Sequence, residues 1–296
     1  MYPTSPLRHL ATSHQEQNLD NKLIMITGAN AGIGKVAALE LAKQGHHIVM
    51  VCRSQERGRA AQAEIKAASG SEQVDLLIAD LSVQADIHQL AAEFKQRYDR
   101  LDVLVNNAGA IFDKRQKTAD GLELTFALNH MGYFLLTDLL LDTLKASAPA
   151  RIINVSSDAH RRGSLNFDDL QHEKSYSAFP VYSASKLANV LFTYELTRRL
   201  EGSGVTANAL HPGFVNTNFG STMSGIPAFF IGIISRLFAT SPEKGAETII
   251  YLAASPEVEG VTGNYFVEKK ATRSAPESYD EAVAKRLWEV SEQLVR

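Results

Sequence analysis

KLIMITGANAGIGKVAALELAKQG, residues 22–45, begins as an apolar run, passes through a glycine-rich turn and continues in a helical pattern. KLIMIT (22–27) reads as a strand, and apolar spacing from about Gly32 to Gln44 reads as a helix. Gly28, Gly32 and Gly34 fall where the strand turns into the helix. Glycines there allow a tight turn and let backbone N–H groups approach a pyrophosphate at the helix N-terminus. The spacing is G-x3-G-x-G, and the turn offers Gly28, Asn30, Gly32, Ile33 and Gly34 as contacts for a dinucleotide.

The same alternation repeats along the chain. HHIVMVC (46–52), VDLLIAD (74–80), LDVLVNNAG (101–109), RIINVSS (151–157), VTANALHPG (205–213) and GNYFVE (263–268) begin as strands. Helical patterns separate most of them, with longer ones over about 122–146 and 181–202. Near-continuous apolar strands are those covered on both faces. The expected fold is therefore α/β, a Rossmann-type doubly wound parallel sheet of about seven strands with helices on both faces. No linker divides residues 21–296, which read as one domain after a polar, flexible segment 1–20. Val283, Leu287, Val290 and Leu294 carry helical spacing and predict a packed terminal helix.

Composition narrows the function. Of 296 residues, 45% are hydrophobic and 21% charged, and the net charge of −3 gives no electrostatic case for nucleic acid. The single cysteine, Cys52, excludes an intrachain disulfide and fits a reducing, cytoplasmic setting. Ile226–Ala239 is strongly apolar but too short to span a bilayer, and Arg236 interrupts it, so no transmembrane segment is expected. The histidines form no spaced cluster with Cys, Asp or Glu, so no metal site is expected.

In a doubly wound sheet the ligand lies beyond the carboxyl ends of the strands. The second strand ends in Cys52-Arg53-Ser54, where an NAD-preferring domain usually carries an acid. Arg53 could instead hold the 2′-phosphate of NADP(H), or be a surface arginine. Asp80 and Leu81 follow the third strand, as adenine contacts or as part of a helix cap. In NNAG (106–109) the asparagines are poor strand residues, while Ala108 and Gly109 are small enough for a ligand to pass over; Asn107, Ala108 and Gly109 are taken as cofactor contacts.

YSASK (182–186) puts Tyr182 and Lys186 on one helix face. The plain reading is a partly buried tyrosine beside a solvated lysine. The chemical one is a proton donor whose pKa, ordinarily about 10, is lowered by a neighbouring ammonium.

These motifs, in their order TGANAGIG, NNAG, Tyr182-x3-Lys186 and HPG (211–213), resemble the short-chain dehydrogenase/reductase family over about residues 20–295. KTADGLELTFALNHMGYFLLT, RIINVSSDAH, YSASKLANVLF and KRLWEVS resemble its retinol dehydrogenase type, without the amino-terminal anchor many animal relatives carry. The resemblance implies a catalytic set of Asn129, Ser157, Tyr182 and Lys186. Tyr182 would be the general acid/base, with Lys186 tuning it and holding the nicotinamide ribose. Ser157 would bond the carbonyl oxygen and Asn129 would anchor a water. Strand alternation lets only one of Ser156 and Ser157 face the cleft, and the family alignment favours Ser157. Pro212, Gly213, Val215 and Thr217 would line the nicotinamide, and His211 would be structural. Residues 218–240 would form a substrate lid, core helices or a peripheral membrane contact. The implied activity is NADP(H)-dependent interconversion of an alcohol and a carbonyl on an apolar, retinoid-like or lipid-aldehyde-like substrate. A steroid, quinone or pigment reductase and a non-catalytic dinucleotide sensor are the alternatives. Family members associate as homodimers or homotetramers through the helices of 122–146 and 181–202.

Overall fold

The computed structural model describes residues 21–213 and 241–295. Segment 1–20, the apolar stretch 218–240 with its three readings, and Val215 and Thr217 lie outside the described residues. The strands are β1 (Leu23–Thr27), β2 (His47–Cys52), β3 (Val74–Ile78), β4 (Val103–Asn106), β5 (Ala150–Val155), β6 (Val205–His211), β7 (Tyr265–Val267) and β8 (Lys270–Thr272). They form one sheet in the order β3-β2-β1-β4-β5-β6-β7-β8, parallel except for the antiparallel β7–β8 pair. The direction of winding reverses between β1 and β4, and that crevice is where a doubly wound sheet binds its ligand.

Alternation along β1 explains the two-faced core. Leu23 and Met25 pack on one side, Ile24 and Ile26 on the other. The first side is covered by α3 (Gln84–Arg97), α4 (Leu124–Ala146), α5 (Ala178–Arg199) and α7 (Glu281–Leu294). The second is covered by α1 (Gly32–Lys43), α2 (Gln55–Ser69) and α6 (Pro242–Ala254).

Every residue of α5 from Val181 to Leu196 is buried, because the helix lies between the sheet and α7. Trp288 of α7 meets Phe134 at 5.0 Å and stacks on Phe192 at 5.7 Å, with the Arg199 guanidinium 4.2 Å from its ring. Trp288 thus joins α7 to both α4 and α5. Helix α4 is long and apolar enough to cross a membrane, with a window of mean hydropathy 1.3, yet 72% of that window is buried inside the fold.

Three features depart from the sequence reading. Strand β8 follows a tight turn at Glu268 and Lys269, both at positive φ (49° and 64°), where no glycine marks it; its three residues are exposed and carry no apolar signal. Helix α6, started by Pro242 and capped by Ser241, fills a stretch left unassigned. Helix α4 is regular except at Ala127–Met131, where it widens into a π turn around Asn129.

Candidate active site

The turn after β1 is built for an anionic ligand. Gly28 and Gly32 have φ of 69° and 54°, conformations that favour glycine. Helix α1 has Ala31 at its N-cap, no side-chain cap and no acid in its first turn, whereas Ser54, Ser241 and Asp280 cap α2, α6 and α7. Its first N–H groups, which no side chain caps, fit the pyrophosphate of a dinucleotide. Asn30 and Ile33 are half-buried beside them. Gly34 is buried where a Cβ would lie 2.5 Å from Asn107 Nδ2 and 2.6 Å from the Gly28 carbonyl oxygen. Gly34→Ala is therefore expected to destabilise the fold by about 1–3 kcal/mol and to weaken dinucleotide binding at least about tenfold. Thermal denaturation and a fluorescence titration with cofactor check this, and unchanged cofactor affinity would remove the turn from the binding site.

Thr27, which sequence reasoning passed over, joins this turn to the end of β4. Its Oγ1 accepts from the backbone N–H of Asn107 (2.8 Å) and of Ala108 (3.0 Å), and Asn107 Nδ2 donates to the Thr27 carbonyl at 2.7 Å. A threonine closing an apolar strand was the available signal. Asn106, a poor strand residue by type, nonetheless ends β4 fully buried, donating to Thr137 Oγ1 (3.0 Å) and Asn154 Oδ1 (2.9 Å). Those two bonds use both hydrogens of its Nδ2, while its Oδ1 is buried with no hydrogen-bond partner among the described residues.

Toward the adenosine end, Arg53 is exposed, with Nη1 3.8 Å from Asp80 Oδ2. Asp80 Oδ1 accepts from the N–H and hydroxyl of Ser82, so it shapes the turn into α3. Leu81 is buried with its Cβ against Gly132 of α4 and packs in the core. Cys52 is buried, and burial pushes its thiol up to about 11.

At the carboxyl end of β5 the two serines diverge. Ser156 donates to the Lys186 carbonyl at 2.8 Å and is buried. Ser157 is hydrogen-bonded to the Tyr182 hydroxyl, and its Oγ accepts from Ala159 N–H at 3.2 Å. Lys186 Nζ donates to the Val155 carbonyl at 3.0 Å and lies 5.7 Å from the ring centres of both Tyr182 and Tyr133. Above it, a Cβ on Gly109 would come 3.4 Å from Lys186 Nζ and 3.1 Å from Asn129 Oδ1. Gly109 thus keeps the lysine approachable from the crevice. Pro212 and Gly213 follow β6 and are half-buried.

Two details revise the expected chemistry. Tyr182 and Lys186 are both buried, and burial disfavours the charged form of each. It raises the phenol well above its ordinary value and lowers the ammonium to about 7, so desolvation outweighs the help that spacing alone would assign to the lysine. Asn129 Nδ2 donates to the Ala110 carbonyl (2.9 Å) and to Ser185 Oγ (3.0 Å), and its Oδ1 accepts from Ala110 N–H (2.9 Å). Its amide hydrogens are spent on clamping the extension of β4 to α5. Ser185 and Tyr133 are further site neighbours that the sequence did not single out.

Comparison with known proteins agrees with this geometry. Residues 22–224 match the family model for short chain dehydrogenase. The chain is 44% identical over 293 residues to "Retinol dehydrogenase 14" of Homo sapiens, covering 94% of this chain and 87% of that one. It is 46% identical over 285 residues to "Retinol dehydrogenase 13" of Homo sapiens, covering 94% and 85%. Among solved structures, an uncharacterized protein from Mycobacterium Paratuberculosis superposes with a TM-score of 0.75 at 31% identity, covering 96% of this chain and 98% of that one. The Pseudomonas aeruginosa RhlG/NADP active-site complex gives 0.68 at 27%, covering 84% and 94%. A 3-ketoacyl-(acyl-carrier-protein) reductase from Brucella melitensis complexed with NADH gives 0.65 at 25%, covering 84% and 97%. The chain belongs to the short chain dehydrogenase family and is an oxidoreductase with a nicotinamide-cofactor fold.

Proposed function

We propose that the protein is an NADP(H)-dependent alcohol dehydrogenase/carbonyl reductase acting on an apolar, retinoid-like or lipid-aldehyde-like substrate. The observation that carries this reading is the meeting of Tyr182, Ser157 and Lys186 beside the uncapped start of α1. The glycine turn at Gly28, Gly32 and Gly34 would hold a nicotinamide dinucleotide, which would supply the hydride for the carbonyl carbon. Tyr182 gives its phenolic proton to the carbonyl oxygen, and takes one back in the alcohol-oxidising direction. Ser157 donates a hydrogen bond to that oxygen and stabilises its developing charge. Lys186, held by the Val155 carbonyl, stabilises the phenolate left on Tyr182 whenever it is protonated. The apolar substrate class rests on similarity to the retinol dehydrogenases.

Arg53 is the residue proposed to select NADP(H). Its present partner is 3.8 Å away and its side chain is 64% exposed, so little holds it from a 2′-phosphate. Arg53→Asp is expected to lower the ratio of kcat/KM with NADPH to that with NADH at least about tenfold; an unchanged ratio would leave Arg53 a surface residue.

The reading as a whole is tested by following nicotinamide absorbance with NADPH or NADH against apolar aldehydes and ketones, including retinal and medium-chain alkanals. NADPH oxidation that Tyr182→Phe abolishes supports it. Binding of NADPH without turnover of any carbonyl would favour a dinucleotide sensor.

A further inference from the structure

The peptide unit between Ser157 and Asp158 is bonded on both sides by buried imidazoles, and its carbonyl also accepts from the His160 backbone N–H at 3.0 Å. The Ser157 carbonyl accepts from His160 Nδ1 at 2.7 Å. The Asp158 N–H donates to His211 Nδ1 at 3.2 Å. His160 Nε2 in turn accepts from the backbone N–H of Ala275 at 2.9 Å, and its ring packs 4.7 Å from that of Tyr265. These partners fix both tautomers. A ring nitrogen facing a carbonyl carries the hydrogen, and one facing an N–H does not. His160 is therefore the Nδ1–H form and His211 the Nε2–H form. Both are buried. Their links run to different elements: His211 ends β6, while His160 reaches the segment before α7, where Arg161 also donates to the Arg273 carbonyl at 2.6 Å.

We propose that His160 and His211 are positioning residues for the reaction, a pair that clamps the Ser157–Asp158 peptide so that the Ser157 hydroxyl faces Tyr182. Ser157 stands two residues past the end of β5 and is the N-cap of a short 3-10 helix, Asp158–Arg162. The strand pairing ends before it, and its Oγ also accepts from the Ala159 N–H at 3.2 Å, a bond whose geometry depends on how the intervening peptide plane is fixed. One imidazole fixes the carbonyl side of that plane and the other the N–H side. This inference rests on the reductase reading for its kinetic consequence, but not for its geometry.

The test uses the isosteric logic of amide side chains. Asparagine places its amide near the imidazole Nδ1, glutamine near Nε2. His160→Asn keeps a donor for the Ser157 carbonyl, whereas His160→Gln keeps only the link to Ala275. His211→Asn likewise keeps an acceptor for the Asp158 N–H, and His211→Gln does not. In carbonyl reduction the two glutamine variants are expected to lose kcat by on the order of 10- to 100-fold, with the asparagine variants within about fivefold of the parent and KM for the cofactor unchanged throughout. In a Ser157→Ala background, His160→Gln is expected to cost no more than about twofold further, because its effect passes through the serine. Losses that multiply, or equal losses for asparagine and glutamine, would overturn the proposal and leave the histidines as fold supports. Should the parent protein turn over none of the carbonyls, the reductase reading fails separately. The clamp is then decided by nitrogen-15 spectra of histidine-labelled protein. Fixed Nδ1–H at His160 and Nε2–H at His211, assigned by the single substitutions, uphold it; averaging or inverted tautomers refute it.

Discussion

Tyr182→Phe is expected to lower kcat for carbonyl reduction by at least about 10³-fold while cofactor affinity stays within about twofold. The substitution removes one oxygen from a buried ring whose body packs in α5, so the fold loses little. What it removes is the group hydrogen-bonded to Ser157 and 5.7 Å, at the ring centre, from Lys186 Nζ. Ser157 can still bond a carbonyl oxygen, but no other described side chain on that hydrogen bond can deliver a proton to it. Steady-state absorbance for turnover and a fluorescence titration for cofactor binding separate the two effects. A variant that keeps a tenth or more of the parent activity would take Tyr182 out of the proton-donor role.

Lys186→Met should move activity and stability in opposite directions. Turnover is expected to fall by about 10²-fold or more, since no ammonium remains to stabilise the phenolate. Stability at pH 6 is expected to rise by about 2 kcal/mol, because a buried ammonium with one close carbonyl partner is replaced by an apolar chain of similar length. The Val155 carbonyl would keep Asn189 Nδ2 at 3.4 Å. The gain depends on pH with a definite sign. Burial lowers the ammonium from 10.5 to about 7, so between those values the unfolded chain holds a proton that the folded chain has released. Parent stability therefore rises with pH across that window, and below about 7 the full cost of the buried charge applies. The advantage of the methionine variant should shrink from pH 7 toward pH 10. Urea unfolding at several pH values measures this, and a gap independent of pH would mean that Lys186 is not the titrating group.

The sheet and most of its helices could be read from the chain because apolar strands and helical spacing are local signals, whereas the switch point between β1 and β4 needed the strand order of the folded sheet. Family motifs brought Tyr182, Lys186 and Ser157 to one carboxyl end, and the structure gathers them there. Distance-dependent facts were out of reach. Asn106 looks misplaced in a strand until Thr137 and Asn154 stand opposite it. Asn129 gives no hint in sequence that its amide is consumed by Ala110 and Ser185. The i, i+4 spacing of Tyr182 and Lys186 says that two groups are near, but their charge depends on how much water surrounds them, and Tyr133, Val155 and Gly109, distant in sequence, stand against the lysine. His160 and His211 lie 51 positions apart in the numbering and meet only through one peptide unit.

The lid formed over α5 by α7 also bears on how the protein is made. The chain between Arg199 and Glu281 must be synthesised before Trp288 can reach Phe134 and Phe192. At ribosomal speeds that interval is on the order of ten seconds. During it the emerging polypeptide displays an apolar surface that its own later residues will cover, and the catalytic helix is finished only when translation has passed well beyond it.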